Sequence, residues 1–150
     1  MKLSKISLLI AATLLVAGTP SAHGDEASDR AAKAAAIAAR WNPIFDAQQL
    51  RIDAMAAGAK RDKETLKQYN ALVPDFAEVR RVIAEGLRSA TSDLDAVSGY
   101  AEEETGEFAS TIPALEKLIA NIKTISCVKG KTVKKVTALT PKCPAGYKKK

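Results

Sequence analysis

Apolar positions in this chain recur by fours and threes over most of its length, the spacing that gathers side chains onto one stripe of an α-helix. The first run starts at Ala27 and passes through Ala34, Trp41, Phe45, Ile52, Met55, Leu66 and Tyr69 to Val73, with Gln48 and Asp62 as polar members. A second run leads from Phe76 through Ile83, Leu94, Val97, Ala101, Glu104, Phe108, Thr111 and Leu115 to Ile125. They meet at Val73-Pro74-Asp75, where proline removes a backbone donor and Asp75 with Glu78 forms a capping box. The pattern predicts an all-α body, a long antiparallel hairpin of coiled-coil type folded at Pro74. Pairing about that turn sets Trp41 against Phe108, Ile52 against Val97 and Ala34 against Leu115. Pro43, with Asn42 before it as a cap, and Pro113 interrupt the runs. A bundle of three or four shorter helices is therefore the alternative architecture.

The start of the chain follows a different pattern. Lys2 and Lys5 precede an apolar run from Ile6 to Val16, and Gly18, Thr19 and Pro20 break it before Ala22-His23-Gly24. Small residues at both specificity positions predict a secretory signal removed after Gly24. The run is shorter than the ~20 residues a membrane span needs. The expected organisation is residues 1–24 as signal peptide, 25–124 as helical domain and 125–150 as a basic, disulfide-closed tail.

Charge divides the chain sharply. Asp25 to Glu116 carries seventeen acidic against eleven basic side chains, a net of −6, whereas Lys117 to Lys150 has ten lysines and no carboxylate side chain. A cationic segment of this kind attracts anionic surfaces. Lys129, Lys131, Lys134, Lys135, Lys142, Lys148, Lys149 and Lys150 are the candidate polyanion-binding residues. Arginine is absent from the tail and Tyr147 is its one aromatic, a composition that disfavours nucleic-acid reading. In an exported chain the two cysteines, Cys127 and Cys143, are expected to form a disulfide. Val128-Lys129-Gly130-Lys131 predicts a tight turn between short extended segments, with Val133 and Val136 as packing residues.

The tail reads Cys127-Val128-Lys129-Gly130-Lys131, then Lys134-Lys135-Val136-Thr137, then Pro141-Lys142-Cys143-Pro144-Ala145-Gly146-Tyr147-Lys148-Lys149-Lys150. This block resembles a C-terminal element of diverse secreted actinobacterial proteins. The resemblance covers the last quarter of the chain and implies an extracellular or envelope location, with no activity attached.

His23 is the single histidine and leaves with the signal, which excludes Ser-His-Asp, Cys-His and His-ligated metal chemistry. Glu102, Glu103 and Glu104 lie on consecutive helical positions that splay around the axis, so with Glu107 they read as a solvated face. No catalytic, cofactor-binding or metal-ligating residue is expected. The sequence points to a secreted, non-catalytic helical scaffold or binding module whose lysines meet an anionic envelope polymer or surface protein. Self-association is the expected way to cover a two-helix rod. The alternative is a carrier for a small molecule or lipid, with an inter-helix cavity near Gln48, Met55 and Asp62.

Overall fold

The computed structural model describes residues 23–150, so the expected signal segment lies almost wholly outside the described residues. Three helices, α1 (His23–Ala59), α2 (Lys63–Arg88) and α3 (Leu94–Ala120), precede strands β1 (Lys123–Lys129), β2 (Thr132–Ala138) and β3 (Lys148–Lys149). The hairpin folded at Pro74 is thereby corrected: α2 runs straight through that residue, and the three-helix alternative describes the body.

Capping explains where the chain does turn. Asp62 precedes α2 in extended conformation, and its Oδ1 accepts from the backbone N–H groups of Glu64 (2.9 Å) and Thr65 (3.1 Å). The buried Thr65 hydroxyl donates to Ala59 O at 2.9 Å, tying the last turn of α1 to the first of α2. Asp93 does the same for α3, accepting from Asp95 N (2.9 Å) and Ala96 N (3.3 Å). Glu78, expected to complete a capping box with Asp75, instead sits mid-helix and accepts from Arg81.

Pro43, Pro74 and Pro113 all lie inside helices, and all three are exposed. A proline strands the carbonyl four residues earlier, which here belongs to Ala39, Asn70 and Ala109. Each of those residues is exposed as well, so solvent takes the place of the missing donor. Of the kink or fresh start expected at Asn42-Pro43, the fresh start does not occur, because α1 is continuous through both residues.

Cross-helix contacts give the direction of the rods. Lys33–Asp95, Arg40–Glu102 and Arg51–Glu116 climb α1 and α3 in the same order, so these helices are parallel. Between them α2 runs the opposite way, with Arg80 meeting Asp46 on α1 and Gly86 lying against Val97 on α3. The expected pairings fail for this reason. Trp41 stands level with Ser98, to whose Oγ its indole donates at 3.2 Å, while Phe108 is a turn or more further along. Ala34 and Leu115 belong to opposite ends of the bundle, and the alanine-rich start of α1 is largely exposed.

Phe76 of α2 occupies the centre. It packs edge-on against Phe45 of α1 (centroids 5.8 Å) and Phe108 of α3 (4.9 Å), and all three rings are almost fully buried. The α1 stripe is buried as read, from Trp41 through Phe45, Gln48, Ile52 and Met55 to Ala59. On α2 Phe76 and Ile83 are buried as read, with Val79 added, while in the first half the stripe slips by one position, to Thr65 and Leu72 in place of Leu66 and Val73. On α3 Thr105 and Ile112 replace Glu104 and Thr111. A helix wedged between two neighbours presents a broader stripe than a two-helix seam, which moves its centre.

Arg30 closes the far end by donating to the carbonyls of Ser89 and Ser92, the latter at 2.8 Å. Gly58 is required by packing: a Cβ there would run into the Ile119 side chain, whereas one at Gly106 meets nothing within 4 Å.

Phe76→Ala should lower unfolding free energy by about 3–5 kcal/mol in denaturant titration, as removal of a buried aromatic does. Gly106→Ala should raise stability by about 0.5–1 kcal/mol through helix propensity, while Gly58→Ala lowers it; thermal melts of the two variants should move in opposite directions.

Candidate polyanion-binding surface

β1 and β2 form an antiparallel hairpin in the register Ile125↔Val136, Cys127↔Lys134 and Lys129↔Thr132. Its two-residue turn places Gly130 at φ 57°, and no non-glycine residue has positive φ, so positive φ falls on the first central position alone. Only glycine takes that position without strain, as in a type II′ hairpin. β3 returns along the other side of β1, giving the order β2-β1-β3, and Lys150 N donates to Ser126 O at 2.9 Å.

The expected disulfide is present. Cys127 and Cys143 are joined with a Cα–Cα distance of 5.5 Å, and Cys127 is wholly buried. Closing this loop removes about 3 kcal/mol of chain entropy from the unfolded state, on the usual polymer account. That constraint compensates for a sheet too small to bury much apolar surface. Val136 is half-buried, but Val133, expected to pack, is 57% exposed.

All eight candidate lysines are exposed. Lys129, Lys134, Lys135, Lys148 and Lys149 are on strands, Lys131 is in the turn, Lys142 is in the returning loop, and Lys150 follows β3. Among the described residues none of the eight takes part in an ion pair. The fold thus draws charges spread over 22 positions of sequence onto one small sheet, with no carboxylate side chain between them. Lys134 Nζ rests over the Tyr147 ring at 5.1 Å, a contact with no sequence signal.

The sheet is tied to the bundle by Asp62. Its Oδ1 caps α2, and its Oδ2 accepts from Leu139 N, just beyond β2, at 3.2 Å. These backbone donors, Thr65 foremost, then Leu139 and Glu64, hold the carboxyl below its usual range against the opposing effect of desolvation. Heptad reading assigned Asp62 to the seam. Its Asp-x-x-Thr context marked the cap, but nothing in the sequence marked its second partner.

The residues suspected of lining a cavity do not share one wall. Gln48 and Met55 are buried in the core, and Gln48 donates to Thr105 O at 2.9 Å. Asp62 sits at the α1–α2 turn. A groove of about 360 Å³ opens elsewhere, between α1 and α2, over Phe45, Ile83 and Leu87. Glu102, Glu103, Glu104 and Glu107 lie on α3, and no cluster of metal-ligand type occurs among the described residues. No described helix is long and apolar enough to cross a membrane.

Comparison with family models, with curated proteins and with solved structures returned no match for this chain.

A depressed carboxyl stabilises the fold above its unfolded value of about 3.9 and loses that contribution as pH falls through its folded value. Protection of the Leu139 amide in hydrogen exchange should therefore be constant near neutrality and collapse on acidification. In Asp62→Asn, which keeps a capping oxygen but no charge, the acid-dependent step should disappear.

Proposed function

We propose that the chain is a secreted, non-catalytic helical module whose lysine-rich sheet associates with the anionic cell envelope. The observation that carries this reading is the set of eight exposed lysines on and around a disulfide-closed sheet, none of them in an ion pair among the described residues. Their ammonium groups keep their field for an external partner, and the opposite net charge of the body orients the molecule on a negative surface. Lysine, as a strongly hydrated point charge without a planar fork, suits loose polyanion association. The disulfide is compatible with an oxidising compartment, and the tail's resemblance to an element of secreted actinobacterial proteins supports the same location. The helical body acts as spacer or scaffold, since its buried stripe is occupied by side chains and its caps are satisfied.

Envelope preparations should retain the full chain and release it progressively as salt rises. A variant with all eight lysines replaced by glutamine should wash off at the lowest salt. Equal retention of the two proteins, with the disulfide verified in both, would refute the assignment.

A further inference from the structure

The two faces of the sheet are chemically different, and strand register assigns each lysine to one of them. Residues opposite each other in an antiparallel pair project from the same side. One face carries Ile125, Cys127 and Lys129 on β1, with Lys134 and Lys149 opposite Cys127. The other carries Thr124, Ser126 and Val128, with Lys135 opposite Ser126 and Lys148 opposite Val128. Continuing the β3 register past Lys148 and Lys149 sets Lys150 beside Ser126, as their backbone hydrogen bond requires.

The returning loop packs against the middle of the first face, whose Lys129, Lys134 and Lys149 stay exposed around it. The disulfide spans it through the wholly buried Cys127, Lys134 lies over Tyr147, and Lys129 Nζ comes within 3.4 Å of the space a Cβ on Gly146 would take. The second face has no cross-link or aromatic ring over it: Val133 is 57% exposed, and Lys135, Lys148 and Lys150 are exposed around the half-buried Ser126 and Val128. Thr124 and Thr137 extend it with hydroxyls bonded to each other at 2.8 Å.

Resting on the envelope reading above, we infer that this open face is the contact surface, and that its partner is a linear phosphate-bearing polymer laid across the strands. Lys135 and Lys150 bracket Ser126 on the outer strands, two strand spacings or about 10 Å apart, with Lys148 about 7 Å from Lys150 along β3. That arrangement offers successive point charges with a hydroxyl donor between them. Ammonium groups, with three rotatable donors, serve tetrahedral oxyanions well, whereas planar carboxylates are matched best by the arginine fork this sheet lacks. A membrane surface fits less well, because the face has one exposed valine and no aromatic side chain to seat at an interface. Nucleic acid fits less well again, since the one aromatic ring of the tail is on the covered side beneath Lys134.

The test compares two full-length variants of equal charge. Lys135→Gln/Lys148→Gln/Lys150→Gln neutralises the open face, and Lys129→Gln/Lys134→Gln/Lys149→Gln neutralises the covered one. Binding to long-chain inorganic polyphosphate is titrated by fluorescence anisotropy from about 50 to about 300 mM salt, with the disulfide confirmed by mass and helicity by circular dichroism. The open-face variant should lose at least about tenfold in affinity at low salt, and its log–log salt slope should become shallower by about 2–3. The covered-face variant should change by less than about threefold. Equal losses overturn the face assignment and leave the envelope reading intact. A wild-type chain that is retained by envelope but ignores polyphosphate, or prefers anionic lipid vesicles, overturns the phosphate-polymer partner. Failure of both polyphosphate binding and envelope retention removes the parent reading as well.

Discussion

The body of this protein depends on one aromatic contact, the insertion of Phe76 between Phe45 and Phe108. Each ring comes from a different helix, so the contact joins all three. Two short turns reverse the chain twice, which leaves α1 and α3 parallel, and the exposed charges on their flanks pair at matching heights. Those pairs are exposed and individually weak. They record the direction of the helices, whereas burial of the three rings and the aliphatic side chains around them stabilises it.

The same economy governs the ends of the helices. Asp62 and Asp93 satisfy the first backbone donors of α2 and α3. Asp62 also accepts the amide of Leu139, so a single carboxylate fixes both the start of a helix and the position of the sheet. Arg30, at the other end of the bundle, saturates carbonyls of the loop before α3. The core therefore contains few unsatisfied polar groups, Gln48 Oε1 being the one without a hydrogen-bond partner among the described residues.

Function on this reading resides where packing is thinnest. A three-stranded sheet with two residues in its last strand buries little, and its disulfide supplies the constraint that a core would otherwise provide. Freed from packing, it exposes its charged side chains, and every one of them is a lysine. The cross-link and the returning loop occupy one face, which leaves charge on the other available to a partner.

Several features were legible in the residues alone: a helical body, the buried stripe of α1 from Trp41 to Ala59, the disulfide, the turn at Gly130 and the cationic end. Each follows from local spacing or composition, so no distant contact was needed to read it. The number and direction of the helices were not legible. A proline reads as a stop in sequence, yet Pro74 is tolerated where it and Asn70, which holds the stranded carbonyl, are exposed, and exposure of that kind is a property of the assembled bundle. The slip of the α2 stripe from Leu66 and Val73 to Thr65 and Leu72 has the same origin, since two partners, not one, define which side of that helix is inside. Nor could spacing reveal that Asp62 reaches Leu139, or that Lys134 lies over Tyr147 while Lys135 stands on the open side. Adjacent strand residues alternate faces by geometry, but which face is covered depends on where the disulfide carries the returning chain.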